Sequence, residues 1–239
     1  MGKKEMTTLA SERSDEPWRR RLFLPNYQIV EAARYTGISP QTVVAWHKQE
    51  KTTLSTKEKR EALTYMQLIE VAVVAAFRKA GISLKEIRAA REYVKNELKA
   101  EHPFAEFRFK SEGKNLWMDY EQIEGEKGKE KLLKANQAGQ LAWSHIIGRL
   151  EQFEYEHEGI VIRWRLAGAS SPIVIDPRLS FGTPTVRGTP TWVIKGRYDA
   201  GESDTDIAED FGLSRDEVRE ALNFEQVRTG RGKAKLKLH

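Results

Sequence analysis

The chain contains no cysteine in its 239 residues. That absence excludes a thiolate nucleophile, a disulfide framework and any zinc site built on sulfur. Long apolar runs are also missing. The longest candidate, Val71–Phe77, falls far short of the ~20 residues a membrane-spanning helix needs. The first seventeen residues, MGKKEMTTLASERSDEP, lack the apolar region of a signal peptide, so a cytoplasmic chain with no membrane partner is expected. Glycine and proline, 17 and 8, are too few for collagen-like material, and 39% hydrophobic content is enough to build cores. The five histidines, His47, His102, His145, His157 and His239, form no pair at metal-ligand spacing. The acid run Asp204, Asp206, Glu209, Asp210 suits helix-start dipole and cap groups better than a catalytic pair. Thr229-Gly-Arg-Gly232 has too few glycines for a phosphate loop. No catalytic set, metal or cofactor is expected.

What is present is charge, unevenly spread. Residues 1–100 carry 19 Lys and Arg against 12 Asp and Glu, whereas residues 101–226 carry 16 against 23. Residues 227–239 carry five basic residues and no acidic one. A basic front, an acidic body and a basic tail point to different partners for different regions.

Periodicity divides the chain further. Residues 1–24 show no apolar period until Leu22, Phe23 and Leu24, and read as a flexible tail ending in an apolar anchor. Ile29, Ala32 and Ala33 have helical spacing, Gly37 stops that helix, and Ser39-Pro40 restarts one with a cap and a first-turn proline. Thr64-x-x-Gln67 and Ser83-x-x-Glu86 open two more helices. The polar, basic stretch His47–Leu63 reads as an excursion rather than core. Phe104–Phe109 alternates and pairs with Leu116–Tyr120 as a hairpin; 153–155 with 160–165, and then 173–176, extend a small central antiparallel sheet. Residues 182–190 read as a loop, and Trp117, Trp143, Trp164 and Trp192 as core. Three closing helices follow: Thr191–Ala200, Ser203–Phe211 and one from Ser214-x-x-Glu217. The expected fold is α+β and mainly helical. Its divisions are 1–24 tail, 25–100 helical front domain, 101–172 central sheet region, 173–226 helical domain and 227–239 basic tail.

The segment Tyr27-Gln-Ile-Val-Glu-Ala-Ala-Arg-Tyr-Thr-Gly-Ile-Ser-Pro-Gln-Thr-Val-Val-Ala-Trp46 has the layout of a helix-turn-helix. Val43 and Trp46 should pack inward, leaving Gln41, Val44, Ala45 and Lys48 outward. The segment resembles the MerR family of winged-helix regulators, and the likeness continues through about residue 95. That resemblance implies a recognition helix at 40–48 and a wing within 47–63. The contact set it implies for double-stranded operator DNA is Ser39, Gln41, Thr42, Val44 and Lys48, with Lys51, Lys57, Lys59 and Arg60 on phosphates. Two departures stand out: Val44 fills a position that is usually basic, and the long dimerisation coiled coil is missing. A homodimer would then have to form through the central sheet or the C-terminal helices.

Residues 175–192 and the helices through Leu222 resemble a small family once labelled only as a domain of unknown function, found in antitoxins of type II toxin–antitoxin pairs. The whole chain resembles a two-domain VapB-type antitoxin. That resemblance implies autorepression of its operon and neutralisation of a PIN-like ribonuclease toxin. The tail Val227–His239 alternates Lys233, Lys235 and Lys237 with Ala234, Leu236 and Leu238, a strand pattern fit for a sheet edge. Arg228 or Arg231 would enter the toxin's metal-binding carboxylate cluster. The alternatives are a stand-alone MerR-like regulator answering to a small ligand, and a scaffold that binds no DNA.

Overall fold

The computed structural model describes residues 16–47, 53–54, 61–79, 81, 83–85, 87–88, 91–92, 95, 100–106, 152–156 and 160–227, with the strand backbones at 109–112 and 115–118. A short helix, α1 (Pro17–Arg21), starts with proline at its first turn and delivers Leu22 into the core. Phe23 and Leu24 stay exposed, so only one of the three expected anchor residues is buried. The chain then pairs with a distant segment: the Leu63 amide donates to the Tyr27 carbonyl at 2.7 Å, and the Tyr27 amide returns the bond at 3.0 Å.

Helix α2 (Ile29–Thr36) opens with a reciprocal capping box between Gln28 and Glu31 and closes at Gly37, whose φ of +67° is left-handed. Helix α3 (Pro40–Trp46) follows after two residues. The Ser39 hydroxyl accepts the Thr42 amide at 3.1 Å, and Pro40 occupies the first turn. The two helices therefore meet across Gly37-Ile38-Ser39, as the spacing predicts. Helix α4 (Tyr65–Lys79) is capped by the expected box: the Thr64 amide donates to Gln67 Oε1 at 3.0 Å and the Gln67 amide to Thr64 Oγ1 at 3.2 Å. Every residue from Tyr65 to Phe77 is buried, which makes α4 the central post of the molecule. Its last residue reaches back, with Lys79 Nζ donating to the Thr36 carbonyl at 2.6 Å and closing the end of α2. Of the helix expected after Ser83, the described residues Leu84, Lys85, Ile87, Arg88, Arg91, Glu92 and Lys95 are helical.

Three local readings need correction. Pro103–Glu106 is a turn of helix, α5, because the His102 amide donates to Glu106 Oε1 at 2.9 Å and proline suits the first turn. The strand therefore starts at Phe109, and β1 (Phe109–Glu112) pairs with β2 (Asn115–Met118) as a separate two-stranded sheet. Residues 182–190 are not simply a loop. Strands β3 (Phe153–Tyr155), β4 (Val161–Arg165), β5 (Ile173–Ile175), β6 (Thr185–Val186) and β7 (Thr189–Pro190) form one antiparallel sheet in chain order. The last two strands are two residues long, too short for any period to register. The excursion 47–63 also contributes to the core. The Thr53 and Leu54 amides both donate to the Trp46 carbonyl at 3.2 Å, and both side chains are fully buried beneath α3.

Helices α6 (Thr191–Asp199), α7 (Asp204–Phe211) and α8 (Arg215–Phe224) close the chain. Trp192, read as core from its type, is 61% exposed. Thr191 and Ile194 are the buried residues of α6, and Trp192 lies one helical step away from them. The turn between α7 and α8 repeats the one between α2 and α3. Gly212 stands at φ +63° and ψ +32° where Gly37 has +67° and +33°, and Ser214 caps α8 as Ser39 caps α3. One apolar cluster runs from Leu22 through α4 to Leu222, so the front and back of the chain share a core.

Candidate functional site

The exposed face of α3 is made by its sequence. Val43 and Trp46, three apart, are buried against the core, which turns Gln41, Val44 and Ala45 outward. Val44 is 46% exposed although it is apolar. Ser39 and Thr42 are engaged with each other: their hydroxyls lie 2.8 Å apart, so their first role is to fix the start of the helix. No acidic residue lies on α3. Of the predicted DNA contacts, the structure brings Ser39, Gln41, Thr42 and Val44 to one surface. Lys48, Lys51, Lys57, Lys59 and Arg60 lie outside the described residues, as do Arg228, Arg231, Lys233, Lys235 and Lys237 of the tail. Sequence reasoning did not single out Arg78 and Lys79, exposed residues at the end of α4, of which Lys79 holds the Thr36 carbonyl through its ammonium. Their signal was an Arg-Lys pair closing the longest apolar helix.

The similar turn at α7–α8 carries opposite electrostatics. Helix α7 has four carboxylates and α8 three, against Arg215 and Arg219 alone. Both arginines converge on Asp204, at 3.3 and 3.0 Å. Of the acid run, Asp204 and Asp206 stand in the first turn of α7 as expected, whereas Glu209 and Asp210 fall in its last turn, where Asp210 accepts from Arg197 at 2.6 Å. At α8, Ser214 and Glu217 form a reciprocal box that, with Arg187 at 2.8 Å, holds the Glu217 carboxyl below its usual range. A phosphate backbone would be repelled by this surface and not by α3.

The outer face of α2 is bolted to the back of the molecule. Tyr35 stacks on Phe224 with centroids 5.9 Å apart and meets Trp164 edge-on at 6.5 Å. Burial, reinforced by Glu31, pushes its phenol up to about 12. Arg34 lies over the Phe224 ring at 4.9 Å and pairs with Glu225 at 3.1 Å. Nearer the chain start, the Tyr27 hydroxyl donates to the Gly182 carbonyl at 3.0 Å and Asn26 Nδ2 to the Phe181 carbonyl at 2.8 Å. Helix α2, and through Gly37 the start of α3, is thus tied to residues 129 or more positions away in sequence.

A buried charge cluster is built on α4. Glu70, in the middle of α4, has Oε2 3.3 Å from His102 Nδ1 and Oε1 4.0 Å from Arg91 Nε. Burial alone would lower the His102 pKa, but Glu70, helped by Glu106 and Glu101, more than offsets it and the net shift is upward. Its role is structural. Among the described residues, no group of three or more histidines and carboxylates is placed to hold a metal. No described helix is long and apolar enough to cross a membrane.

Comparison with known proteins places the back of the chain first. Residues 173–224 match a family model described as a protein of unknown function, DUF433. This segment runs from β5 to the end of α8. Over a longer span, the chain is 22% identical across 233 residues to a Mycobacterium tuberculosis (strain ATCC 25618 / H37Rv) protein named "Putative antitoxin VapB45". That alignment takes in 87% of this chain and 97% of the relative. Among solved structures, the crystal structure of Rv2018 from Mycobacterium tuberculosis matches with a TM-score of 0.63 at 20% identity, over 84% of this chain and 99% of that one. The likeness to Rv2018 is one of fold.

Proposed function

We propose that this chain is the DNA-binding antitoxin of a type II toxin–antitoxin pair, repressing its own operon and neutralising a PIN-like ribonuclease. The observation that carries the DNA-binding half is the α2–Gly37–α3 unit, which presents Gln41, Val44 and Ala45 on an acid-free helix face. Gln41 is suited to a bidentate contact with adenine, and Val44 and Ala45 to thymine methyl groups. The basic segment holding Lys48, Lys51, Lys57, Lys59 and Arg60 would act as the wing on phosphates. Two copies would read half-sites ~34 Å apart or a multiple of that.

The toxin-neutralising half is supported by the likeness over most of the chain to the relative named as an antitoxin. The basic tail, with Arg228, Arg231, Lys233, Lys235 and Lys237, would pair with the nuclease's metal-binding carboxylates and add a strand at a sheet edge. The chain would then act by binding and not by catalysis. The test is co-expression with the product of the adjacent reading frame. The expected result is a stable complex in which ribonuclease activity is suppressed, and in which deletion of 227–239 restores activity while operator binding persists. Unchanged inhibition by the truncated chain would move the inhibitory role to residues 173–226.

A further inference from the structure

Residues Ser180, Phe181 and Gly182 form a run of three left-handed residues, with φ of +43°, +56° and +77°. Glycine adopts that region freely, but a phenylalanine there is strained. The strain is not repaid by burying the ring, because Phe181 is 70% exposed, the most exposed large apolar side chain among the described residues. The surrounding structure imposes the conformation. Tyr27 and Asn26 donate to the Gly182 and Phe181 carbonyls, Ser180 Oγ donates to the Gly188 carbonyl at 3.3 Å, and the Gly182 amide closes on the Leu179 carbonyl at 2.8 Å. Below the turn, buried Asp176 accepts from the Arg178 amide at 2.9 Å, from the Arg178 guanidinium and from Arg163. A large aromatic ring is therefore held outward on a rigid base.

We propose that Phe181 is the anchor of a protein-docking surface that inserts into an apolar pocket edged with carboxylates on a different protein. The surroundings fit that occupant. Leu179, two residues before the ring in sequence, is exposed, and Leu24, more than half exposed, lies between Arg21 and Asn26 in sequence, both of which touch Phe181. The Arg21 guanidinium stands 4.5 Å from the ring centroid. Asp176 beneath the turn is buried and already committed to Arg163 and Arg178, so the charge presented at the ring is positive. A second copy of this chain docking face to face would bring Arg21 toward Arg21, a like-charge contact that disfavours self-association here. A carboxylate-edged pocket would pair with Arg21 while enclosing Phe181. A preorganised aromatic beside an arginine has the composition and rigidity of a binding hot spot.

This inference rests on the reading of the chain as one member of a two-protein pair, and gives that partner a docking point separate from the basic tail. The experiment uses the full chain and the purified product of the adjacent reading frame, titrated by calorimetry. Phe181→Gly removes the ring and leaves a residue at ease with positive φ, so the variant should melt at the same temperature or higher. Its affinity should fall about 30-fold, the scale of a hot-spot residue, and Arg21→Glu should weaken binding in the same direction. Equal affinities of wild type and Phe181→Gly would overturn the proposal and leave the two-protein reading standing. A wild-type chain that binds no such protein would overturn both. Loss of a wild-type dimer in Phe181→Gly, seen by sedimentation of the chain alone, would assign the surface to a second copy and contradict the carboxylate-edged partner.

Discussion

Alanine at position 182 would place its methyl carbon 2.1 Å from the Tyr27 hydroxyl oxygen and 3.3 Å from ring carbon Cζ. The backbone there stands at φ +77°, which costs a residue with a side chain ~1–2 kcal/mol. Relieving the contact means moving a buried tyrosine and breaking its hydrogen bond to the Gly182 carbonyl, a further ~1–3 kcal/mol. Gly182→Ala should therefore destabilise the protein by roughly 2–5 kcal/mol. In a Tyr27→Phe background the hydroxyl is gone and the nearest atom is the ring carbon, so the same substitution should cost only the backbone share, ~1–2 kcal/mol. Urea unfolding of the four proteins of this cycle, with m-values checked for constancy, measures the difference as a coupling of about 1–3 kcal/mol. Equal costs in the two backgrounds would refute the claim that the Tyr27–Gly182 contact locks the front of the chain to the back.

The His102–Glu70 pair gives a signed pH dependence. The folded pKa of His102 lies above its ordinary 6.5, so its stabilisation is full below that value and is lost as pH rises through the folded pKa. Urea midpoints should fall over that range in wild type and flatten in His102→Gln; a parallel fall in the variant would assign the loss to other groups. Asp176 behaves oppositely. Burial raises its pKa, but its bonds to Arg178 and the nearby Arg163 win and hold it below 3.8, so its contribution is present above that value and lost as pH falls through the folded pKa. Asp176→Asn should cost ~1–3 kcal/mol at neutral pH, a discount for half-exposed arginines, and acid unfolding should become less steep.

Features decided within a few residues were legible in the sequence. Gly37 and Gly212 end helices because only a left-handed residue turns the chain there, and Ser39 and Ser214 cap the next helices because their hydroxyls reach the amide three residues on. The inward set of α3 followed from the spacing of Val43 and Trp46. Features decided by distant partners were not legible. Phe181 is an exposed aromatic only because Tyr27 and Asn26 hold its turn, and Trp192 is exposed only because Thr191 and Ile194 face the core of α6. The buried Glu70 interrupts an apolar helix and gave no hint that His102 would meet it. For the site, the helix face was readable, whereas its attachment to Phe224 and Glu225 depended on two segments nearly 200 residues apart.

The central claim is that α3 reads DNA, and a footprint on the DNA upstream of the chain's own reading frame tests it most directly. Wild type should protect two half-sites spaced by about one helical turn or a multiple. Gln41→Ala should keep its affinity for unrelated DNA but lose ~1–3 kcal/mol of preference for this site. Protection and preference unchanged in Gln41→Ala, or no protection by wild type at salt concentrations where nonspecific DNA is released, would contradict the account.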